Sequence, residues 1–166
     1  MGRAIYVSSV NGDDANSGYA PEKAFRSLRK VNQMEIQPGD QILLERGSVF
    51  VGEYLHLYRG GTKEAPVVVD AYGEGALPRI ETDGNGIWYQ NYGGHLDNVV
   101  HTWKGYLSSA VLLYDAEYIS IRNLEITNNP CVKNERLNQA DRMNRTGVSV
   151  IAKNHGTLHE LSLIHI

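Results

Sequence analysis

The stretch Val111-Leu-Leu-Tyr-Asp-Ala-Glu-Tyr-Ile-Ser-Ile-Arg-Asn-Leu-Glu-Ile-Thr-Asn128 decides the fold. Ile119 and Ile121 alternate with polar residues, as do Leu124 and Ile126, and Arg122-Asn123 separates the two pairs. Alternation in an extended chain places each pair on one face. A two-residue interruption restores the inward direction after a corner, which suits a strand bending around a coil. Gly147-Val-Ser-Val-Ile151 is a weaker echo, with Val148 and Val150 alternating. Repetition of this kind marks a solenoid, although insertions blur its period.

Outward from this stretch, short apolar runs follow one another between Gly, Asn, Asp and Pro. They are 41–44, 49–51, 54–58, 66–72, 98–103, 110–114, 118–127 and 146–152. Val, Ile, Leu and Tyr dominate them, which reads as strands. Ile5-Tyr6-Val7 is a further short run, and the Asn, Asp, Ser and Gly of 11–18 form a turning loop. One segment has a helical pattern, from Pro21 to about Asn32, with Phe25, Leu28 and Val31 on one face. Strands without intervening helices define an all-β protein. Pattern alone leaves two architectures open, a parallel β-helix and a β-sandwich.

The chain has 166 residues, 42% hydrophobic, with a mean hydropathy of -0.36 and a net charge of -3. That charge argues against nucleic acid as the main partner, which would favour a basic surface. No apolar run reaches the roughly 18 residues of a membrane span, so no membrane insertion is expected. Cys131 is the only cysteine and excludes an internal disulfide. Met1-Gly-Arg-Ala-Ile-Tyr6 has no apolar signal region, so no signal peptide is expected within this chain.

A longer likeness supports the β-helix. Tyr6-Val-Ser-Ser-Val-Asn-Gly-Asp-Asp-Ala-Asn-Ser-Gly18, Pro21-Glu-Lys-Ala-Phe-Arg-Ser-Leu28 and Gln37-Pro-Gly-Asp-Gln-Ile-Leu-Leu-Glu-Arg-Gly47 form one ordered series. Pro66-Val-Val-Val-Asp-Ala-Tyr-Gly-Glu-Gly75 and Leu77-Pro-Arg-Ile80 extend it. The series resembles the N-terminal part of secreted bacterial right-handed parallel β-helix proteins of the pectate-lyase-like superfamily. The resemblance implies that residues 1–160 are the first coils of one β-helix domain, with the helix at about 21–32 capping the stack. It also implies an extracellular or periplasmic protein whose signal precedes residue 1. Leu161-Ser-Leu-Ile-His-Ile166 reads differently, as the translation of a sequencing-library transposon end, and 161–166 is therefore expected to be a non-native tail.

Several residues could carry chemistry, each beside a structural reading. Asp115 and Glu117 are paired acids of the kind glycoside hydrolysis uses, yet acids at i and i+2 also suit a turn. His155 beside Lys153 and Asn154 could act as a general base. Trp88, Tyr92 and Trp103 could stack on sugar rings, or pack under a long loop. His95, Asp97 and His101 would share a strand face and have the composition of a metal site. Asp13 and Asp14 offer oxygens of the kind calcium accepts, with a hydrogen-bonded turn as the preferred reading.

The resemblance implies a polysaccharide-degrading enzyme, a lyase or a glycoside hydrolase, acting on an extracellular glycan. No cofactor is evident, and calcium is expected only if the whole protein is a lyase. The decisive catalytic residues are expected beyond this chain. The rival is a non-catalytic β-helix, an adhesin or carbohydrate-binding surface protein. Nothing in the sequence addresses oligomeric state.

Overall fold

The computed structural model describes residues 2–91, 104–129, 144–154 and 156–164. In chain order the strands are β1 (Ala4–Val7), β2 (Gln41–Glu45), β3 (Val49–Val51), β4 (Leu55–Leu57), β5 (Val67–Tyr72) and β6 (Arg79–Glu81). They continue as β7 (Ile87–Asn91), β8 (Lys104–Tyr114), β9 (Ile119–Arg122), β10 (Glu125–Thr127), β11 (Asn144–Ile151) and β12 (Leu161–Ile164). The first sheet has the order β1-β2-β5-β9-β12, the second β3-β6-β10 and the third β4-β8-β11. Every pairing along these three orders is parallel. From β2 onward the chain visits first, second and third sheets in that cycle and returns each time one strand further along. The antiparallel pairing that dominates a β-sandwich is confined, among the described strands, to β7 on β8.

Alternation within each strand becomes rows across each sheet. Ile5, Ile42, Val69, Ile121 and Leu163 stand side by side in the first sheet. Phe50, Ile80 and Ile126 do so in the second, and Leu55, Val111 and Val148 in the third. The first four of the first row are fully buried in the principal core, with Phe50, Ile80, Leu55 and Val111. Each such side chain contributes about 2 kcal/mol of burial. Leu163 is 49% exposed, because β12 lies at the edge of its sheet. An open parallel edge accepts strand-forming sequence through backbone groups alone, so residues 161–164 would pair there whatever their origin.

The corner between first and second sheets repeats one device. Gly47, Gly73 and Asn123 have φ of +83°, +78° and +56°. Glycine takes this left-handed conformation without a Cβ clash, and asparagine is the side chain that tolerates it best. Arg122 Nε and Asn123 Nδ2 each donate to the Asp70 carboxylate at 2.7 Å, tying this corner to the preceding strand. Burial pushes the Asp70 carboxyl upward, but these bonds and the Ala71 N–H outweigh it and hold the group below its ordinary range.

The expected helix over about 21–32 is not continuous. A 3-10 turn occupies Pro21–Lys23, and α1 is only Leu28–Asn32. Between them the chain is extended. Phe25 N–H donates to Tyr6 O at 2.9 Å, and Ser8 N–H donates to Phe25 O at 2.8 Å, so this segment bridges to β1. Asp14 accepts the Arg26 and Ser27 N–H groups and the Ser27 hydroxyl, which competes with helical bonding at those residues. Phe25, Leu28 and Val31 are nevertheless buried in the principal core.

Asp40 anchors the start of β2. Its side chain is fully buried and accepts from the Arg3 guanidinium, the Arg3 N–H and the Gln37 N–H. Burial alone would raise the Asp40 carboxyl; these donors outweigh that and hold it below the usual value. Replacing Asp40 with Ala should cost about 3 kcal/mol at neutral pH. Because the folded value is the lower one, the contribution is complete above pH about 4 and fades as pH falls further. Chemical denaturation of wild type and Asp40→Ala at neutral pH and at about pH 3 should therefore show a gap that narrows in acid.

Candidate functional site

The third sheet turns an unusual outer face. On β4, Tyr54, His56 and Tyr58 fall on alternate positions around the strand, opposite the inward Leu55 and Leu57. Tyr54 lies 4.4 Å from the His56 ring, and Tyr58 lies 5.9 Å from Tyr114 of β8, measured between centroids. The β7–β8 hairpin brings Trp88 onto this face, where it packs with Leu112 and Ile151 in a second, small core flanked by Leu107 and Tyr114.

A polar knot fastens that core. Trp88 Nε1–H donates to Ser109 Oγ at 2.8 Å. Ser109 Oγ is also 2.8 Å from Thr146 Oγ1 and from Ser149 Oγ, which are 2.7 Å apart. His56 Nε2 lies 2.9 Å from Ser109 O, and since a carbonyl only accepts, the proton is assigned to Nε2. Burial lowers the His56 pKa, against a smaller opposing effect of that hydrogen bond, so the ring is neutral at pH 7. Asn128 Nδ2 donates to Ser108 O and Thr146 O, and Asn128 Oδ1 accepts the Gly84 N–H.

Of the two readings left open for Trp88, this arrangement favours packing over an open platform for sugar. The ring is 8% exposed and fills the outer core. Among the described residues, the open aromatic rings of the hairpin are Tyr89 and Tyr106, cross-strand partners with centroids 5.0 Å apart. Tyr92 and Trp103 lie outside the described residues, as do His95, Asp97, His101, Cys131 and His155.

The candidate acids hold turns. Asp115, at φ +50°, accepts the Asn154 N–H at 2.9 Å and the Asn154 Nδ2 at 2.6 Å. Glu117 accepts the His159 N–H at 3.2 Å, and its carbonyl accepts the Gly61 N–H. Both therefore tie neighbouring corners together. Asp13 accepts the Ala15 N–H, and Asp14 serves Arg26 and Ser27 as above. Among the described residues, no group of three or more His, Cys, Asp or Glu could hold a metal ion.

Residues not singled out in the sequence line a hollow of about 300 Å3 between α1 and the corner joining β3 to β4. Its walls are Ser27, Arg29, Asn32, Gly52, Glu53 and Tyr54. Glu53 accepts the Leu28 N–H at 2.6 Å. Burial raises the Glu53 carboxyl above its usual range, with the nearby Asp14 charge adding to the effect and the N–H bonds opposing it. Asn32 joins the walls, donating to Tyr54 O and accepting the His56 N–H.

The proteins to which the chain is similar include lacto-N-biosidases, which are glycan-acting enzymes. The chain is 37% identical over 186 aligned residues to the lacto-N-biosidase of Bifidobacterium longum subsp. longum. Solved structures of the GH136 lacto-N-biosidase from Eubacterium ramulus, as selenomethionine derivative and native protein, are each 55% identical to it. Their TM-scores are 0.90 and 0.89, over 99% and 98% of this chain. The chain spans only 26% of the solved chains and 12% of the B. longum protein. No family model matches the chain.

Ser109 is the centre of the knot, and removing its hydroxyl strands the buried Trp88 Nε1–H. Ser109→Ala should lower stability by about 2 kcal/mol. Urea denaturation followed by circular dichroism checks this, and a change below about 0.5 kcal/mol would contradict the assigned network.

Proposed function

We propose that this chain is part of a secreted glycoside hydrolase of the GH136 lacto-N-biosidase kind, acting on a glycan that carries a lacto-N-biose unit. The observation that carries this reading is the likeness at 55% identity to the E. ramulus enzyme across 99% of the chain. The three parallel sheets, visited in a constant cycle, are the faces of a right-handed parallel β-helix. The hand follows from the twist of the strands, which makes parallel crossovers right-handed in almost every known case.

The chain supplies scaffold in this reading. Asp115 and Glu117, the paired acids of the sequence, are already bonded to corner amides. The acid and base or nucleophile of hydrolysis are therefore assigned to other parts of the whole protein. Among the described residues, no helix is long and apolar enough to cross a membrane.

The test uses the full-length protein carrying this sequence and a chromogenic lacto-N-bioside. Release of the chromophore is expected. Asp115→Asn and Glu117→Gln should keep kcat within about tenfold of wild type, because loss of a catalytic carboxylate costs about 10^4-fold or more. Ultraviolet-absorbing unsaturated ends from a polyuronate would replace this reading with a lyase. Binding of glycans without release of any product would replace it with the adhesin or binding protein.

A further inference from the structure

The walls of the hollow beside Glu53 are chemically specific, and none of its residues is assigned a step of the proposed hydrolysis. We infer that it is a binding site for a single neutral sugar ring, held between Tyr54 and the Arg29 guanidinium with Glu53 at its side. The volume, about 300 Å3, lies at the lower end for small-ligand sites. Tyr54 lines the hollow, is 36% exposed and has the His56 ring 4.4 Å away between centroids. Arg29 is 73% exposed. One of its amino groups lies 3.6 Å from Asp14, and the guanidinium carries further N–H donors.

The polar groups suit hydroxyls that both donate and accept. Arg29 only donates and Glu53, when ionised, only accepts, so together they can grip neighbouring hydroxyls of one ring. The Ser27 hydroxyl donates to Asp14 at 2.6 Å and keeps its oxygen as an acceptor. Asn32 is already bonded to the β4 backbone, and Glu53 already holds the Leu28 N–H. These contacts fix the walls before any ligand arrives. An anionic ligand is disfavoured, because Glu53 and Asp14 flank Arg29, the only cation lining the hollow among the described residues. Gly52, at φ +71°, forms part of the wall without a side chain to narrow it.

This inference stands apart from the hydrolase reading, because ligand in the hollow and product release are measured separately. Crystals of the full-length protein are soaked in N-acetylglucosamine, galactose or glucose, and the same sugars are titrated in solution. One of them should appear as a ring between Tyr54 and Arg29. Arg29→Ala, at an exposed position, should fold normally and bind that sugar about tenfold more weakly. Glu53→Gln, which keeps an oxygen for Leu28, should also weaken binding. An empty hollow at saturating sugar overturns the inference. So does density without measurable affinity in solution, or an affinity unchanged in both variants. Sugar in the hollow of a protein that hydrolyses no glycan would sustain it while removing the hydrolase reading.

Discussion

Register between parallel strands of the first sheet is the constraint on which the rest of the structure depends. A strand shifted by one residue turns every inward side chain outward. Here Ile42 stands beside Ile5 and Val69, and Val69 beside Ile121. A slip at any one pairing would move a buried aliphatic group to water and a polar neighbour such as Asp70 or Ser120 to the core. The corner holds the register from outside. Asn123 in the left-handed conformation ends β9 at a fixed point, and Asp70 grips both Arg122 and Asn123. The second sheet inherits its alignment from these corners, because the connections from the first sheet span only 46–48, 73–78 and 123–124.

The β7–β8 hairpin departs from that rule and creates the most distinctive local chemistry. A hairpin added to the parallel sheets must bury its own apolar residues somewhere, and the space between the sheets already holds the principal core. Trp88 therefore lies on the outside of the third sheet against Leu112 and Ile151. Covering a sheet face in this way buries serine and threonine hydroxyls as well. Ser109, Thr146 and Ser149 satisfy one another, which is how a buried polar group avoids its desolvation cost.

How much of this was legible in the sequence depended on range. The pairs Ile119 and Ile121, then Leu124 and Ile126, revealed both strand alternation and the corner at Asn123, because each is a local property of backbone and side chain. The all-β class was readable for the same reason. The helix over 21–32 was overdrawn, since Asp14 and the Tyr6 backbone recruit residues 25–27 from well outside the local window. The sequence left Trp88 between stacking on sugar and packing, because its partner surface depends on where a hairpin folds. Glu53 and Tyr54 gave no signal, as their setting arises only when α1 reaches the corner after β3. The carboxylate candidates at 115 and 117 had the right residue type, and only the position of Asn154 and His159 showed what they hold.

The most direct measurement is a disulfide trap of register in the full-length protein with Cys131 replaced by Ser. Val68 and Ser120 are lateral neighbours on the outward side of β5 and β9, and adjacent strands bring such positions within disulfide reach. The double variant Val68→Cys/Ser120→Cys should oxidise to an intramolecular disulfide under native conditions. Val68→Cys/Ile121→Cys, one residue out of register with side chains on opposite faces, should remain reduced. Crosslinking of the second pair and not the first would contradict the register, and with it the wound stack of parallel strands.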